Sequence, residues 1–140
     1  MLWGSDPKSK KVLALQKKII RTMSKTNQRT SCRNLSRTLG ILPLLCVYIS
    51  EMVCWIKYYW GKLEFNSEVH DHNTHHKTDL HPLTCRTNLT NNNDLNMGIT
   101  LFNKLSEQLK KLETKHRLKN NVKKYLLQNV FYSVNEYLSI

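Results

Sequence analysis

The segment from Ile41 to Trp60 constrains the fold of this chain more than any other part of the sequence. Most of its positions are apolar or aromatic, and only Glu51 and Lys57 bring charge into it. Pro43 stands near its start, where a proline suits the first turn of a helix. A run with so few polar residues predicts a buried core helix from Leu44 to Trp60.

A membrane span is the alternative interpretation of this segment, because about twenty residues are enough to cross the apolar part of a bilayer. Glu51 lies near the middle, where a carboxylate costs about 2.5–3.5 kcal/mol on insertion scales. The segment also lacks an uninterrupted run of about eighteen apolar residues that would offset this cost. Both points favour a buried helix, and a small single-pass membrane protein stays open as an alternative.

Two further helices are predicted before the core helix. Asp6-Pro7 is a favourable helix start, and apolar residues then recur at intervals of three and four, surrounded by lysines. A basic amphipathic helix of about four turns is therefore expected. Ser31 caps a short second helix, and Gly40 ends it because glycine accepts a left-handed backbone. The apolar row of the first helix consists of Val12, Leu15, Ile19 and Met23, widened by Leu13 and Ile20.

The carboxy-terminal half begins with a polar stretch, Leu63 to Asn96, whose Asn, Thr, His and Asp residues predict a long irregular loop. Two helical rows follow, which either run together or break near Thr114. Ser133 and Glu136 have the spacing of a capping box. The chain is thus expected to be mainly α, with about four to five helices in a single partial domain of three segments, 1–62, 63–96 and 97–140. The two rows are Leu101, Leu105, Leu109 and Leu112, and then Leu118, Val122, Tyr125 and Leu126.

The chain carries 22 Lys and Arg against 10 Asp and Glu, a formal net charge of +12. Ten basic residues lie between Lys8 and Arg37 with no acid among them, and eight more lie between Lys104 and Lys124. This charge indicates a polyanionic partner, with nucleic acid first and an anionic membrane second. The alternative is that these basic residues lie on solvent-exposed helix faces and bind no partner. The residues expected to neutralise phosphates are Lys10, Lys11, Lys17, Lys18, Arg21, Lys115, Arg117, Lys119, Lys123 and Lys124.

No catalytic pattern stands out in the sequence. The ten acids are scattered, with no adjacent Asp pair, so we expect no two-metal polymerase centre and no enzyme activity from this chain alone. The four cysteines match neither a paired zinc site nor a disulfide scaffold, and indicate free thiols in a reducing compartment. We therefore expect the nucleus or cytoplasm, and not secretion.

A histidine-rich stretch is the densest group of metal-binding side chain types. Imidazoles suit zinc, and a loop is able to fold round one ion. No C-x-x-C or H-E-x-x-H frame fixes their geometry, however. We predict neither a metal nor a cofactor from the group, which consists of His70, His72, His75, His76 and His81.

Short motifs follow one another along essentially the whole chain. The first are Leu2-Trp3-Gly4, Leu15-Gln16-Lys17-Lys18, Ser31-Cys32-Arg33 and Leu39-Gly40-Ile41-Leu42. The later ones are His72-Asn73-Thr74, Leu80-His81, Arg86-Thr87, Met97-Gly98-Ile99, Leu101-Phe102-Asn103-Lys104-Leu105 and Phe131-Tyr132-Ser133-Val134. In this order and spacing they resemble the tail that follows the polymerase domain in insect-type non-LTR retrotransposon reverse transcriptases.

The resemblance implies a parent enzyme that copies its own RNA into DNA at a nicked chromosomal target. Its endonuclease and polymerase are not in this sequence, so we expect a truncated, non-catalytic tail. The expected role is accessory, sequence-independent binding of RNA or DNA backbones, with no small-molecule substrate. The alternative is a structural brace that docks on the missing polymerase domain and has no binding role of its own.

Overall fold

The structure, a computed structural model, describes residues 8–59, 63–69, 78–83 and 94–140. Within these ranges 69% of the residues are helical, and the only extended pairing is an isolated antiparallel bridge between Phe65 and Leu80. The predicted mainly α fold is therefore confirmed. In chain order the helices are α1 (Lys8–Met23), α2 (Cys32–Leu39), α3 (Leu44–Tyr59), α4 (Asn66–Val69), α5 (Asp94–Asn103), α6 (Glu107–Lys110), α7 (Lys115–Gln128) and α8 (Val134–Leu138).

The chain forms two compact units. Unit 1 comprises Met1–Ser50 and Lys119–Ile140, and unit 2 comprises Glu51–Leu118. Both boundaries lie within helices, so α3 and α7 each contribute residues to both units. Unit 1 therefore joins the two ends of the sequence, whereas unit 2 is one continuous stretch.

The two ends of α2 lie at the residues that the sequence indicated. Ser31 has the extended backbone of an N-cap residue (φ −64°, ψ 121°), although its hydroxyl makes no capping hydrogen bond. Gly40 has φ 64°, the left-handed conformation, and the N–H of Ile41 returns to the carbonyl of Ser36 at 3.0 Å. This closure satisfies a carbonyl that the last turn of α2 leaves open.

In unit 1 the side-chain amide of Gln16 fastens α1 to the start of α3. It donates to the carbonyl of Leu42 at 2.9 Å and accepts from the N–H of Leu44 at 2.9 Å. The amide thereby satisfies one of the backbone donors that the first turn of a helix leaves without a partner. The thiol of Cys32 donates to the carbonyl of Lys17 at 3.6 Å, which joins α2 to α1. These bonds fix which side of α1 faces the core.

The apolar row predicted on α1 does not face that core. Its four side chains are 49%, 59%, 51% and 60% exposed, in chain order. Ile20 is buried instead, at 2% exposure, and Leu13 is half-buried. The physical reason is that Gln16, on the buried side, is held by the backbone of the α3 start. We call Val12, Leu15, Ile19 and Met23 the outer row of α1.

The predicted core helix is confirmed as α3. Eight of its apolar side chains, between Leu45 and Ile56, are buried, and Trp60 lies outside the described residues. Among the described helices none is by itself long and apolar enough to cross a membrane, and only α2 with α3, as a bent pair, satisfies length and composition. The buried residues of α3 are Leu45, Cys46, Tyr48, Ile49, Met52, Val53, Cys54 and Ile56, with Ser50.

In unit 2, α5 approaches α3 closely at Gly98. A Cβ atom at this position would lie 2.8 Å from Cγ1 of Ile56, 2.9 Å from its Cδ1 and 3.2 Å from Cε of Met52. Carbon atoms do not approach so closely without repulsion, since their optimal separation is about 3.5–4.0 Å. The absence of a side chain at Gly98 is therefore what allows the two helices to pack at this distance.

Two asparagines of α5 hold the segment 80–83 in unit 2. The amide of Asn103 accepts from the N–H of Leu80 at 3.0 Å and donates to its carbonyl at 2.8 Å. One face of α5 repeats this arrangement, because Asn96 accepts from the N–H of Leu83 at 2.9 Å and donates to its carbonyl at 3.0 Å. Each amide takes the place of a strand partner, so an irregular segment keeps its backbone groups satisfied.

The sequence misplaced two boundaries in the carboxy-terminal half. The segment expected to be irregular up to residue 96 contains α4, and α5 already begins at Asp94. The first leucine row does not form one helix, because Ser106 takes an extended N-cap conformation (φ −60°, ψ 146°). Leu101 lies in α5 and Leu109 in α6, while Leu105 and Leu112 lie outside both helices. Of the two alternatives at Thr114, the structure shows the break, since α7 begins at Lys115. The rest of the predicted loop, 70–77 and 84–93, lies outside the described residues.

Candidate nucleic-acid interface

The positive charge of the chain is concentrated in unit 1. That unit contains 13 Lys and Arg against two acids, Asp6 and Glu136, a formal charge of +11. Unit 2 contains nine Lys and Arg against eight acids, a formal charge of +1. Almost all of the net charge of +12 therefore belongs to one compact unit.

Glu136, the single acid in the described part of unit 1, already has partners. Its carboxylate pairs with the guanidinium of Arg33 and accepts from the N–H of Tyr132 at 2.9 Å. The N–H of Glu136 donates to the hydroxyl of Ser133 at 3.0 Å, as the capping-box spacing predicted. The reciprocal bond goes to Tyr132, one residue earlier than in a standard box. No other described carboxylate side chain of unit 1 is left to neutralise its basic residues.

One side of α1 carries exposed lysines, Lys10, Lys11 and Lys18. At 3.6 residues per turn they lie within roughly 100° of the helix circumference. We call them the basic side of α1. No Asp or Glu occurs in this helix, so no carboxylate of α1 itself offsets the positive potential of its basic side.

The other two residues predicted on α1 point into unit 1. The ammonium of Lys17 lies 3.6 Å from the centroid of the Tyr132 ring, and Nε of Arg21 donates to the carbonyl of Thr30 at 3.1 Å. Arg33 also covers this ring, with its guanidinium carbon 4.8 Å from the centroid. Lys17 and Arg21 thus have structural contacts, and the exposed lysines are the better phosphate ligands.

The residues predicted on α7 are divided between the two units. Lys119, Lys123 and Lys124 belong to unit 1, whereas Lys115 and Arg117 belong to unit 2. Lys123 and Lys124 are exposed. Of the apolar row predicted on this helix, Leu118, Val122 and Leu126 are 0% exposed, and Tyr125 is half-buried.

Unit 2 uses several of its basic side chains in internal contacts. Lys110 forms an ion pair with Asp79 at 2.8 Å, and the two side chains are only 13% and 17% exposed. Lys57 donates to the carbonyl of Lys110 at 3.0 Å. The ammonium of Lys115 lies 5.1 Å from the centroid of the Tyr58 ring. The basic residues around α6 and the start of α7 therefore belong to a nearly neutral unit.

Unit 1 exposes further basic residues that the sequence did not single out. Lys25, Arg29 and Arg37 are exposed in the turn after α1 and on α2. The signal for them was present, because all three lie in the acid-free run from Lys8 to Arg37. What the sequence did not indicate was that Lys119, Lys123 and Lys124 belong to the same unit as that run.

The metal-binding alternative rests mostly on residues outside the described ranges. His70, His72, His75 and His76 fall there, while His81 places Nδ1 3.0 Å from Oδ1 of Asn66. Among the described residues no group of three or more His, Cys, Asp or Glu side chains is arranged to hold a metal ion.

Three described cysteines, Cys32, Cys46 and Cys54, are buried free thiols. Burial raises the pKa of Cys46 from 9.0 to about 11, and its thiol donates to the carbonyl of Phe131 at 3.5 Å. Burial likewise raises the pKa of Tyr132 and of Tyr137 above the ordinary value for tyrosine. Cys46, Tyr132 and Tyr137 therefore stay neutral at physiological pH, and the charge of unit 1 comes from Lys and Arg.

Comparison of the chain with known family models, with curated proteins and with solved structures gave no match. The motifs quoted from the sequence nevertheless have structural roles. Gln16 binds Leu42, Lys17 and Arg33 cover Tyr132, and Asn103 binds Leu80. Each of these contacts joins residues of two different motifs within one unit.

Proposed function

We propose that unit 1 is an accessory binding module for the phosphate backbone of RNA or DNA. On this proposal the chain is the non-catalytic tail of a non-LTR retrotransposon reverse transcriptase, and it holds template or target near a polymerase that other sequence supplies. The retrotransposon context rests on the ordered motifs. The binding role rests on charge.

The observation that carries the proposal is the unequal charge of the two units, +11 in unit 1 and +1 in unit 2. Basic residues that merely solvate helix faces would be offset by acids in both units. Here the only described acid of unit 1 is occupied by Arg33 and the Tyr132 amide. A polyanion is the partner that such a surface attracts most strongly.

On this proposal, the exposed lysines of unit 1 bind the nucleic acid through contacts with its phosphates alone. Each contact releases counterions that the nucleic acid had condensed, so binding is favoured by entropy and weakens as salt is added. Lysine ammonium groups contact phosphates as point charges. Such contacts position the nucleic acid without reading base edges, so the proposed binding is independent of sequence.

The polymerase reaction itself is assigned to the parent enzyme and not to this chain. Nucleotide transfer needs clustered carboxylates that hold two metal ions about 3.5–4 Å apart. The chain has 10 acids, of which eight lie in unit 2, and Asp79 there is paired with Lys110. We therefore place the catalytic aspartates outside this sequence.

A binding experiment tests the proposed role. The full chain is titrated into two unrelated fluorescent RNAs of equal length and into a nicked DNA duplex, in low salt, with anisotropy as readout. We expect equal affinity for the two RNAs, because phosphates carry no sequence information. Lack of binding in low salt, or a strong preference for one RNA sequence, would reject the proposal.

A matched pair of variants then distinguishes binding through unit 1 from a general effect of the net charge of the chain. Lys10→Gln with Lys18→Gln removes two charges from α1, while Lys104→Gln with Lys111→Gln removes two exposed charges from unit 2. We expect roughly tenfold weaker binding for the first variant and little change for the second. Equal losses would show that total charge, and not unit 1, determines binding.

The structural brace is a second candidate function, and one observation favours it. The outer row of α1 is apolar and about half exposed, which is unusual for a helix that packs on its other side. Co-expression with a polymerase domain of the resembling family distinguishes the candidates. Improved solubility without a change in template affinity would support the brace, and a change in template affinity would support nucleic-acid binding.

A further inference from the structure

The outer row of α1 is an apolar surface with no partner in the described structure. Val12, Leu15, Ile19 and Met23 are each between 49% and 60% exposed. They lie in line along a helix whose other side, with Ile20, is buried. Aligned exposed apolar side chains mark interaction sites more often than scattered ones do.

The spacing of the outer row points to the shape of its partner. The intervals of three, four and four residues place the row within roughly 80° of the helix circumference and over about 16 Å of its length. A stripe this narrow corresponds to the seam along which two helices pack, whereas a wide apolar face suits a sheet or a bilayer. The row is therefore shaped for another helix.

The charges beside the row point to the chemistry of that partner. Lys11 and Lys18 are seven residues apart, and each immediately precedes a residue of the seam, Val12 or Ile19. In a packed helix pair, residues at such flanking positions face charged side chains of the opposite helix and determine partner choice. Two lysines on one flank select glutamate or aspartate on the partner.

A second copy of this chain and a lipid surface fit these observations less well. α1 contains six basic residues and no acid, so two copies packed through it would bring like charges together. Helices that lie on anionic membranes combine a wide apolar face with Trp, Phe and Leu, and α1 contains neither Trp nor Phe.

We propose that the outer row of α1, flanked by Lys11 and Lys18, is a docking site for an acidic amphipathic helix of a partner protein. The apolar seam of that helix packs on Leu15 and Ile19, and its carboxylates face the two lysines. The site shares Lys11 and Lys18 with the basic side of α1, but its apolar residues are not part of the proposed nucleic-acid surface, and docking does not depend on nucleic-acid binding.

The test uses the full chain and a synthetic helical peptide of three heptads, with Leu and Ile in the seam and Glu at the flanking positions. A peptide of the same composition in scrambled order is the control for charge alone. We expect the heptad peptide to bind at least tenfold more tightly than the scrambled one, by isothermal titration calorimetry. Equal binding of the two peptides would overturn the proposal.

Substitutions in the chain locate the site. Leu15→Gln with Ile19→Gln removes the centre of the row, and we expect it to abolish the preference for the heptad peptide. Val69→Gln with Leu83→Gln removes two side chains of unit 2 that are 40% and 45% exposed, and it should leave that preference intact. The same Leu15 and Ile19 variant should retain RNA binding, which separates this proposal from the proposed function.

Charge reversal tests the flanking lysines. The variant Lys11→Glu with Lys18→Glu should no longer bind the glutamate peptide. It should instead bind a peptide in which lysine replaces each flanking glutamate. Two other outcomes would overturn the proposal in favour of a different occupant. One is binding to phosphatidylglycerol vesicles that needs Leu15 and Ile19, and the other is a dimer, by equilibrium sedimentation, that their substitution dissociates.

Discussion

The ammonium of Lys17 lies 3.6 Å from the centroid of the Tyr132 ring, which connects α1 to the segment before α8. Arg33 covers the same ring and pairs with Glu136. Within unit 1, contacts between basic side chains and the ring of Tyr132 therefore hold α1 and α2 to the segment before α8, in addition to the ion pair. Two of its basic groups are used in this way, while the basic side of α1 remains directed to solvent.

Substitution of Tyr132 tests this arrangement. Its hydroxyl is buried and has no hydrogen-bond partner among the described residues, so Tyr132→Phe should leave the free energy of unfolding unchanged or raise it slightly. Tyr132→Ala should lower it by about 2 kcal/mol or more, because the packing and both cation–π contacts are lost. Urea denaturation measures both. A loss for Tyr132→Phe as large as for Tyr132→Ala would contradict the contact geometry.

Gly98 should tolerate no side chain. Gly98→Ala places a methyl group 2.8 Å from Cγ1 of Ile56, and we expect a loss of about 1–3 kcal/mol from the strain. Ile56→Ala makes room, so the double variant should lose less than the sum of the two single changes, as thermal and urea unfolding would report. Strict additivity would mean that the two residues do not touch.

The asparagine clamps of α5 give a third prediction. Asn103→Leu leaves the N–H and carbonyl of Leu80, a residue that is 0% exposed, without their partner, and buried groups left unpaired cost about 1–3 kcal/mol each. Asn129 is the matched control, because it is exposed and its side-chain amide donates to the carbonyl of Tyr125 at 3.2 Å within its own helix turn. We expect Asn129→Leu to change stability by less than about 0.5 kcal/mol. Similar effects at both positions would argue against the clamp.

Cys46 should make stability fall at high pH. Its pKa is raised by burial from 9.0 to about 11, so between these values the unfolded chain releases a proton that the folded chain keeps. The unfolded state is then favoured, and the free energy of unfolding declines through this range. Cys46→Ala should decline less steeply, by urea denaturation at pH 8, 9 and 10. An identical pH dependence in the two proteins would contradict this cause.

The thiol of Cys46 should also be unreactive in the folded chain, because the thiolate is the reactive form and burial disfavours it. Iodoacetamide at pH 8, followed by peptide mass spectrometry, should modify Cys46 only after denaturant is added. Rapid modification of Cys46 in the native protein would contradict its burial.

Several helices could be predicted because local signals agree with the tertiary fold. Gly40 ends α2 through its left-handed backbone, and α3 is apolar on nearly every side. The outer row of α1 shows the limit of periodicity. Spacing establishes that a row exists, but the bonds of Gln16 decide which side of the helix is buried, and they depend on distant residues. The division between α5 and α6 was hidden for a similar reason, because the leucine spacing continues through it.

The candidate site was predictable in composition and not in arrangement. The acid-free run from Lys8 to Arg37 is visible in the sequence. That Lys123 and Lys124 share a unit with this run, while Lys115 does not, depends on how the chain ends come together. Lys17 was chosen by its charge alone, and the ring of Tyr132 that holds it lies in another part of the chain.

The most direct test of the central claim is the salt dependence of binding to a DNA duplex. The logarithm of the binding constant falls with the logarithm of salt concentration by about 0.9 per phosphate contact. Lys10→Gln with Lys18→Gln should make this slope shallower by about 2, while Lys104→Gln with Lys111→Gln should leave it unchanged. Equal changes in both variants, or binding that does not respond to salt, would contradict the assignment of phosphate binding to unit 1.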